Sequence, residues 1–451
     1  MTELSRTALD SRLLYDAATR KGRTMGKSKS RKCVSILLFC GWFVYAAANV
    51  GRMNYSASMV AIIESTGAQK DAAGLVASFF FFAYGAGQLV NGLLCKRYDS
   101  RIAVFSVLPV SAACNVAMTF GQTVDIMKYI WLVNGAAQSV LWSSLIRIQA
   151  EYLSDKEISK CIVLMSTTSV GGTFVAYGLS AFFVAACDWR YVFYAASVLL
   201  IAAAISWFFG IGYVKKNLGA EKFEKTDEAG VAQISPPSKR PLYVSLVFVA
   251  AFGIANGFVK DGITTWAPNL IKETFGLETS FSIAIMLVLP FISFFGAFAA
   301  RLIHRKLPND ITICGLLYAV AGVALALALL LYTKNVVLTV GLFSIVACAM
   351  AGINNTLVSA VPFVLRTVGP SGLYAGIIDA ACYGGSMLAS YLIGFVSDSA
   401  GWDGVILVIL VLTAAVCALT LLFAVYWKRR TLPLVTGFRA RCEAGDGAVL
   451  R

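Results

Sequence analysis

Two cations stand where a chain can least tolerate them. Arg52 lies in "NVGRMNYS", inside an apolar run from Cys33 to Ile63, and Lys260 lies in a second apolar run 208 residues later. A guanidinium grips a carboxylate or phosphate through two parallel N–H bonds, and an ammonium acts as a compact point charge. Together they could hold a small anion. A charge at the centre of a bilayer costs between ~3 and more than ~10 kcal/mol. Arg52 is eleven residues from Ile63, about 16 Å at helical rise, too far for its side chain to reach the interface. It must face protein or a water-filled cavity.

The neighbouring residues suit a cavity. Tyr45, Asn49, Arg52 and Ser56 are spaced 4, 3, 4 and share one helical face. Tyr84, Gln88 and Asn91 repeat the pattern, as do Asn134, Gln138 and Trp142, and Asn256, Lys260 and Thr264. Asp379, Tyr383, Ser386 and Ser390 are again spaced 4, 3, 4. Each stripe could instead bond helix to helix. Arg52 and Lys260 point to function, because intramembrane charges mark solute or ion pathways. The structural alternative for them is an internal ion pair, with Asp379 the expected partner. Asp261 adjoins Lys260 and lies about 100° round the helix, so it need not face the same space. Arg147 and Glu151 form an i, i+4 pair read as structural or gating.

The elements that must position these residues are membrane helices. Of 451 residues, 58% are hydrophobic and 14% charged, with mean hydropathy +0.75. No soluble chain of this length has so little to show water. Runs of about 20 apolar residues span a bilayer. They fall at 34–60, 72–95, 101–121, 126–150, 161–185, 190–213, 242–265, 280–300, 311–332, 336–364, 371–397 and 403–427. With the N-terminus inside, 30 Lys and Arg lie on the inner side and five on the outer side, which sets the orientation. The net charge of +14 then reflects that asymmetry and attraction to anionic lipid, and no nucleic-acid partner is expected. The eleven cysteines contain no CxxC pair and are expected to be free thiols.

The chain also repeats itself. Gly171–Gly172 and Gly384–Gly385 are each followed by a tryptophan, Trp189 and Trp402, at a shared offset of 213. Gly92 to Arg97 and Gly296 to Arg301 match at offset 204, and Arg52 and Lys260 at 208. A charged segment at 215–240 with Pro-Pro divides the spans six and six. The expected organisation is a basic cytoplasmic tail (1–32), a six-helix bundle (33–214), a cytoplasmic linker (215–240), a second bundle (241–427) and a cytoplasmic tail (428–451). The fold class is an all-α membrane protein of twelve transmembrane helices in two pseudo-symmetric bundles. Parallel six-span repeats place a binding site at mid-membrane between the halves.

At these residues the chain resembles the organophosphate:phosphate antiporters of the major facilitator superfamily, which include bacterial glycerol-3-phosphate and hexose-phosphate transporters. The resemblance covers most of 33–427. It is carried by "YAAANVGRMNYS", "AYGAGQLVNG", "LWSSLIRIQAEYLSDKE", "VGG", "DGITTWAPNLIKE" and "YGGSMLASYLIGFVSDSAGWDG". It implies that Arg52 and the residue at Lys260, an arginine in the family, grip a phosphate. It also implies that Gln88 and Thr168 stand where carriers of glycerol phosphate have a lysine and a histidine. Lys96 replaces a usual acid, and Asp379 is an added charge.

The expected function is secondary active transport of a small organic anion, an organophosphate ester exchanged for phosphate, by alternating access. The expected site comprises Tyr45, Asn49, Arg52, Tyr84, Gln88, Gln138, Trp142, Thr168, Asn256, Lys260, Asp379 and Tyr383. If Asp261 and Asp379 face the cavity, the four charges cancel, and a carboxylate or sugar-like solute moved with a proton on Asp379 becomes the alternative. A non-transporting sugar-phosphate sensor is the third reading. No GxxxxGK[ST], HExxH or GxSxG motif occurs, so no enzyme or ATP-driven pump is expected. No cofactor or metal is expected. The partners would be the small anion, inorganic phosphate or protons, and lipid, with the protein a monomer in the plasma membrane (the inner membrane of a bacterium) and both termini cytoplasmic.

Overall fold

The computed structural model describes residues 3–94, 97–121, 123–153, 155–218, 240–307, 309–365 and 371–433. Among these it contains helices and turns and no strand. The first half holds α1 (Glu3–Thr66), α2 (Lys70–Leu94), α3 (Ser100–Phe120), α4 (Val124–Tyr152), α5 (Asp155–Ala186) and α6 (Arg190–Leu218). The second begins with α7 (Arg240–Phe275), followed by α8 (Thr279–His304), α9 (Asp310–Leu331) and α10 (Val336–Leu365). Ser371–Tyr426 is a run of 56 residues, helical in two parts, more than one crossing needs. It divides at Gly401, whose φ of 69° and ψ of −174° no helix contains, into α11 (371–400) and α12 (402–426). The backbone of the basic tail is helical from Glu3 and runs directly into the first span. Residues 219–239 of the expected linker, the tail beyond 433, Lys96 and Arg366 lie outside the described residues.

Local sequence explains many of the boundaries. Asp99, Asn309 and Asn335 cap α3, α9 and α10, each accepting from a backbone N–H two residues on. Gly67 and Gly276 follow α1 and α7 with φ of 66° and 64°, the left-handed geometry that ends a helix and favours glycine. Ten stretches among the described residues are apolar and long enough to cross a bilayer. The division at Gly401 and the more polar α4, with its Asn134 and Gln138, bring the crossings to twelve. Helices α3, α6, α9 and α12 show water-avoiding side chains outward, among them Val110, Phe209, Leu330 and Leu422, as a lipid-facing ring should.

The two halves use equivalent residues for equivalent tasks. Trp189 donates its indole N–H to Ser65 Oγ (2.9 Å), and Trp402 donates to Glu273 Oε2 (2.8 Å). Ser65 and Glu273 are themselves 208 apart. A Cβ on Gly172 would meet the Ala46 carbonyl, and one on Gly385 would meet the Ile254 carbonyl. Ala46 and Ile254 are again 208 apart. Thus α5 lies on α1 as α11 lies on α7. The other member of each pair, Gly171 and Gly384, has open space where a side chain would go. The Gly296 position meets α10 at Cys348; the surroundings of Gly92 lie outside the described residues.

Between the halves, α2 runs along α11, α5 along the first part of α8, and α1 against α7. The expected outer face is closed. Glu64 pairs with Lys272, its repeat equivalent, and also accepts from Thr279 Oγ1. Lys70 Nζ is 2.8 Å from Glu273 and 3.6 Å from Asp398, and lies over the Trp402 ring. Deeper in, Ser78 Oγ donates to the Met387 carbonyl (2.7 Å) and Tyr177 OH to the Thr264 carbonyl (2.6 Å).

The glycine contacts give a test within one dipeptide. Overpacking a close backbone approach costs about 1–3 kcal/mol. Gly385→Ala should lower the thermal inactivation temperature of the detergent-purified protein, and Gly384→Ala should leave it within error. Equal effects would contradict the α7–α11 contact.

Candidate functional site

The site is built from four helices: α1 and α2 of one half, α7 and α11 of the other. Arg52 lies 14 residues from the end of α1 and Lys260 15 residues from the end of α7, about 21–23 Å below the expected outer ends. Both therefore stand at one depth, well inside the bilayer.

Arg52 is 8% exposed. Its Nε donates to Asn49 Oδ1 (2.9 Å), and Nη2 donates to the same oxygen. The Asn49 amide in turn donates to the Tyr45 carbonyl and Ser169 Oγ, so α5 helps to aim the guanidinium. The Arg52 Cζ lies 5.5 Å from the Tyr45 ring centre and 5.3 Å from that of Tyr84. Aromatic faces carry partial negative charge and stabilise a desolvated cation without neutralising it. Tyr45 is backed by Trp142 at 4.9 Å, and Tyr84 by Tyr383 of the other half at 4.6 Å. A small cleft, room for about one water, lies beside Arg52, lined by Ser56, Ala77, Phe80, Phe81 and Trp131.

Lys260 has a different environment. Its Nζ is 3.2 Å from Asp261 Oδ1, and its side chain is one-third exposed. The other Asp261 oxygen accepts from Ser386 Oγ of α11 (2.5 Å). The expected ion-pair partner was Asp379; the close partner is the adjacent residue. Neighbouring helical positions diverge by 100°, but a lysine stem is long enough to swing back. Asp379 instead accepts from Gln88 Nε2 across the halves at 3.4 Å, and lies within electrostatic reach of Lys260, Arg52 and Asp261. All four charges therefore act on one region.

Other expected site residues are occupied elsewhere. Gln138 donates to Ser111 Oγ of α3 (2.9 Å) and to Asn134, within a buried network that also ties Asn134 and Asn115 to the Gly51 carbonyl. Its amide N–H is spent on holding α4 to α3. Thr168 is fully buried and donates back to the Met165 carbonyl of its own helix. Asn256 joins α7 to α10 through Asn354 Oδ1 (3.2 Å), just before a π turn at Thr356–Ala360. Asn91 bonds Ser139 of α4. Arg147 is exposed, and the pair expected with Glu151 is absent among the described ion pairs. Sequence spacing missed Ser386 as the clamp on Asp261, and it missed the Phe80, Phe81 and Trp131 wall, because apolar residues in an apolar span give no contrast.

Two like helical halves, sealed against each other at one face and sharing buried charges at mid-depth, define a multi-pass membrane transporter. Residues 41–369 match the model of the Major Facilitator Superfamily, and the chain belongs to that superfamily. It is 20% identical to the "Probable hexose phosphate transport protein" of Chlamydia pneumoniae over 87% of this chain and 90% of that one. It is 23% identical to the glycerol-3-phosphate transporter of Bacillus subtilis, over 88% and 93%. It is 22% identical to the cis,cis-muconate transport protein of Acinetobacter baylyi, over 72% and 78%. The crystal structure of a point mutant of the nucleoside transporter NupG superposes with a TM-score of 0.66 at 13% identity, over 87% of this chain and 98% of that one, and so shares the fold. The protein is a transporter and not an enzyme.

The Lys260–Asp261 pair generates a prediction. Removing one partner of a buried pair leaves the other charge uncompensated. Asp261→Asn should lower the melting temperature of the solute-free protein, and inorganic phosphate should recover more of it than phosphate adds to the unaltered chain. An Asp261→Asn protein indifferent to phosphate would show that Lys260 is not turned to the opening.

Proposed function

We propose that the protein is a secondary active transporter that carries a small organic anion across the membrane by alternating access. Arg52 carries this reading. It is a permanent charge at mid-span, backed by aromatic rings instead of a carboxylate, on the border between the halves and beside an opening. Arg52, Asn49, Tyr45 and Trp142 belong to one half, and Lys260, Asp379 and Tyr383 to the other, with Tyr84 and Gln88 reaching across. An anion drawn between them would pull the halves together at the site and loosen the closed face. In its finer form the reading is exchange of an organophosphate ester for phosphate. The resemblance in the spans supports this, as do relatives named as hexose phosphate and glycerol-3-phosphate transporters. The protein would act as a monomer in a plasma membrane, the inner membrane of a bacterium, with both termini cytoplasmic, as the basic residues predict.

A specific observation favours the second reading. Lys260 is already paired with Asp261, so the site offers less positive charge than two free cations would. A monoanion moved together with a proton on Asp379 suits such a site better than a dianion. The relative named as a muconate transporter is consistent with a carboxylate.

A charge-assisted hydrogen bond contributes about 1.5–3 kcal/mol, or roughly 10- to 150-fold in affinity. Arg52→Gln should therefore reduce counterflow in phosphate-loaded proteoliposomes by at least about tenfold while the protein still elutes as a folded species. Undiminished exchange would remove Arg52 from the mechanism. For the second reading, uptake should rise with an inward proton gradient and Asp379→Asn should abolish that rise; gradient-independent uptake excludes it. Binding without any counterflow would point to a sensor.

A further inference from the structure

Arg52 and Asp379 are the two charges of the site that no ion pair consumes among the described residues. Lys260 is held by Asp261, and Asp261 is fixed in turn by Ser386. The two remaining charges are opposite in sign and lie on opposite halves. Their relative height follows from two rungs between α2 and α11. The upper rung is the Tyr84–Tyr383 ring contact at 4.6 Å, and the lower is the Gln88–Asp379 hydrogen bond at 3.4 Å. The two rungs are four positions apart on each helix, about 6 Å along the axis. Arg52 sits against the upper rung, on the Tyr84 ring. Asp379 belongs to the lower rung, with a single long hydrogen bond from Gln88 holding it among the described residues.

We infer that the site takes a zwitterion: a solute with an anionic head on Arg52 and an ammonium group on Asp379. This rests on the reading of Arg52 as the anion-binding group. Two cations and two carboxylates already sum to zero at mid-membrane. A dianion would leave that region at −2, and burying uncompensated charge is strongly unfavourable. A zwitterion leaves the sum at zero and supplies each unpaired group with its complement. The guanidinium accepts a carboxylate or a phosphate ester; with the ammonium, a carboxylate head leaves the sum at zero and a phosphate monoester head leaves it near −1, less than the −2 of a plain dianion.

The test compares two matched pairs on the full purified chain: γ-aminobutyrate against butyrate, and O-phosphoethanolamine against glycerol 3-phosphate. Thermal stabilisation and proteoliposome counterflow are both read. The member with the ammonium should be effective at concentrations at least about tenfold lower in one pair, and the responding pair identifies the head group. Asp379→Asn should bring that ratio close to one. Asp379→Glu should keep the preference and shift it toward the shorter β-alanine or its phosphate counterpart. Equal or reversed preference in both pairs, silence in both, or a preference that survives Asp379→Asn overturns the inference. A failure of the underlying anion reading looks different: Arg52→Gln would then leave transport of the effective solute intact.

Discussion

Charge placed out of water must be answered nearby, and that constraint organises the centre of this protein. Arg52, Lys260 and Asp261 each lie within electrostatic reach of Asp379, and each of the four charges is answered differently. Aromatic faces and one amide oxygen surround Arg52. A carboxylate answers Lys260, a hydroxyl fixes that carboxylate, and an amide from the opposite half touches Asp379. Rings and amides lower the cost of a charge without cancelling it, so Arg52 and Asp379 keep the uncancelled charge that the proposed function uses. A neutralising partner does cancel it, and Lys260 is correspondingly less available.

The duplicated architecture sets that local chemistry between two similarly built halves. Gly172 and Gly385 let α5 and α11 approach α1 and α7 closely, and Trp189 and Trp402 tie down the ends of the same helices. Each half is held together by buried contacts of its own, while the halves meet through α2 with α11 and α5 with α8. The closing groups at the expected outer face are exposed ion pairs such as Lys70–Glu273. Exposed pairs contribute little each, typically below about 1 kcal/mol. The equivalence of Glu64 and Lys272, positions 208 apart that pair with each other, puts the pseudo-twofold axis between them.

Much of this was legible in the chain. Hydropathy placed the twelve crossings, including the separation of α11 from α12 near Gly401, because a 56-residue apolar run is too long for one bilayer crossing. The offsets of 208 and 213 gave the duplication, because repeated units keep the residues that hold equivalent contacts. The cost of intramembrane charge gave Arg52 and Lys260. Helical spacing grouped Tyr45 and Asn49 with Arg52, since residues three and four apart share a face. Which member of each Gly-Gly pair carries the close contact was not legible, because it depends on which neighbour approaches.

What the sequence by itself determined was therefore the class, the count of crossings, the duplication and the residues that membrane physics forbids to face lipid. Tertiary structure alone decided how those residues are partnered. It gave Lys260 to Asp261 instead of Asp379, turned Gln138 and Thr168 into buried ties, and set Tyr383 against Tyr84 and Gln88 against Asp379. The reason is physical. Periodicity fixes the side of a helix on which a residue lies, whereas a charge's partner depends on side-chain reach and on which other helix packs opposite, and these exist only once the bundle has formed.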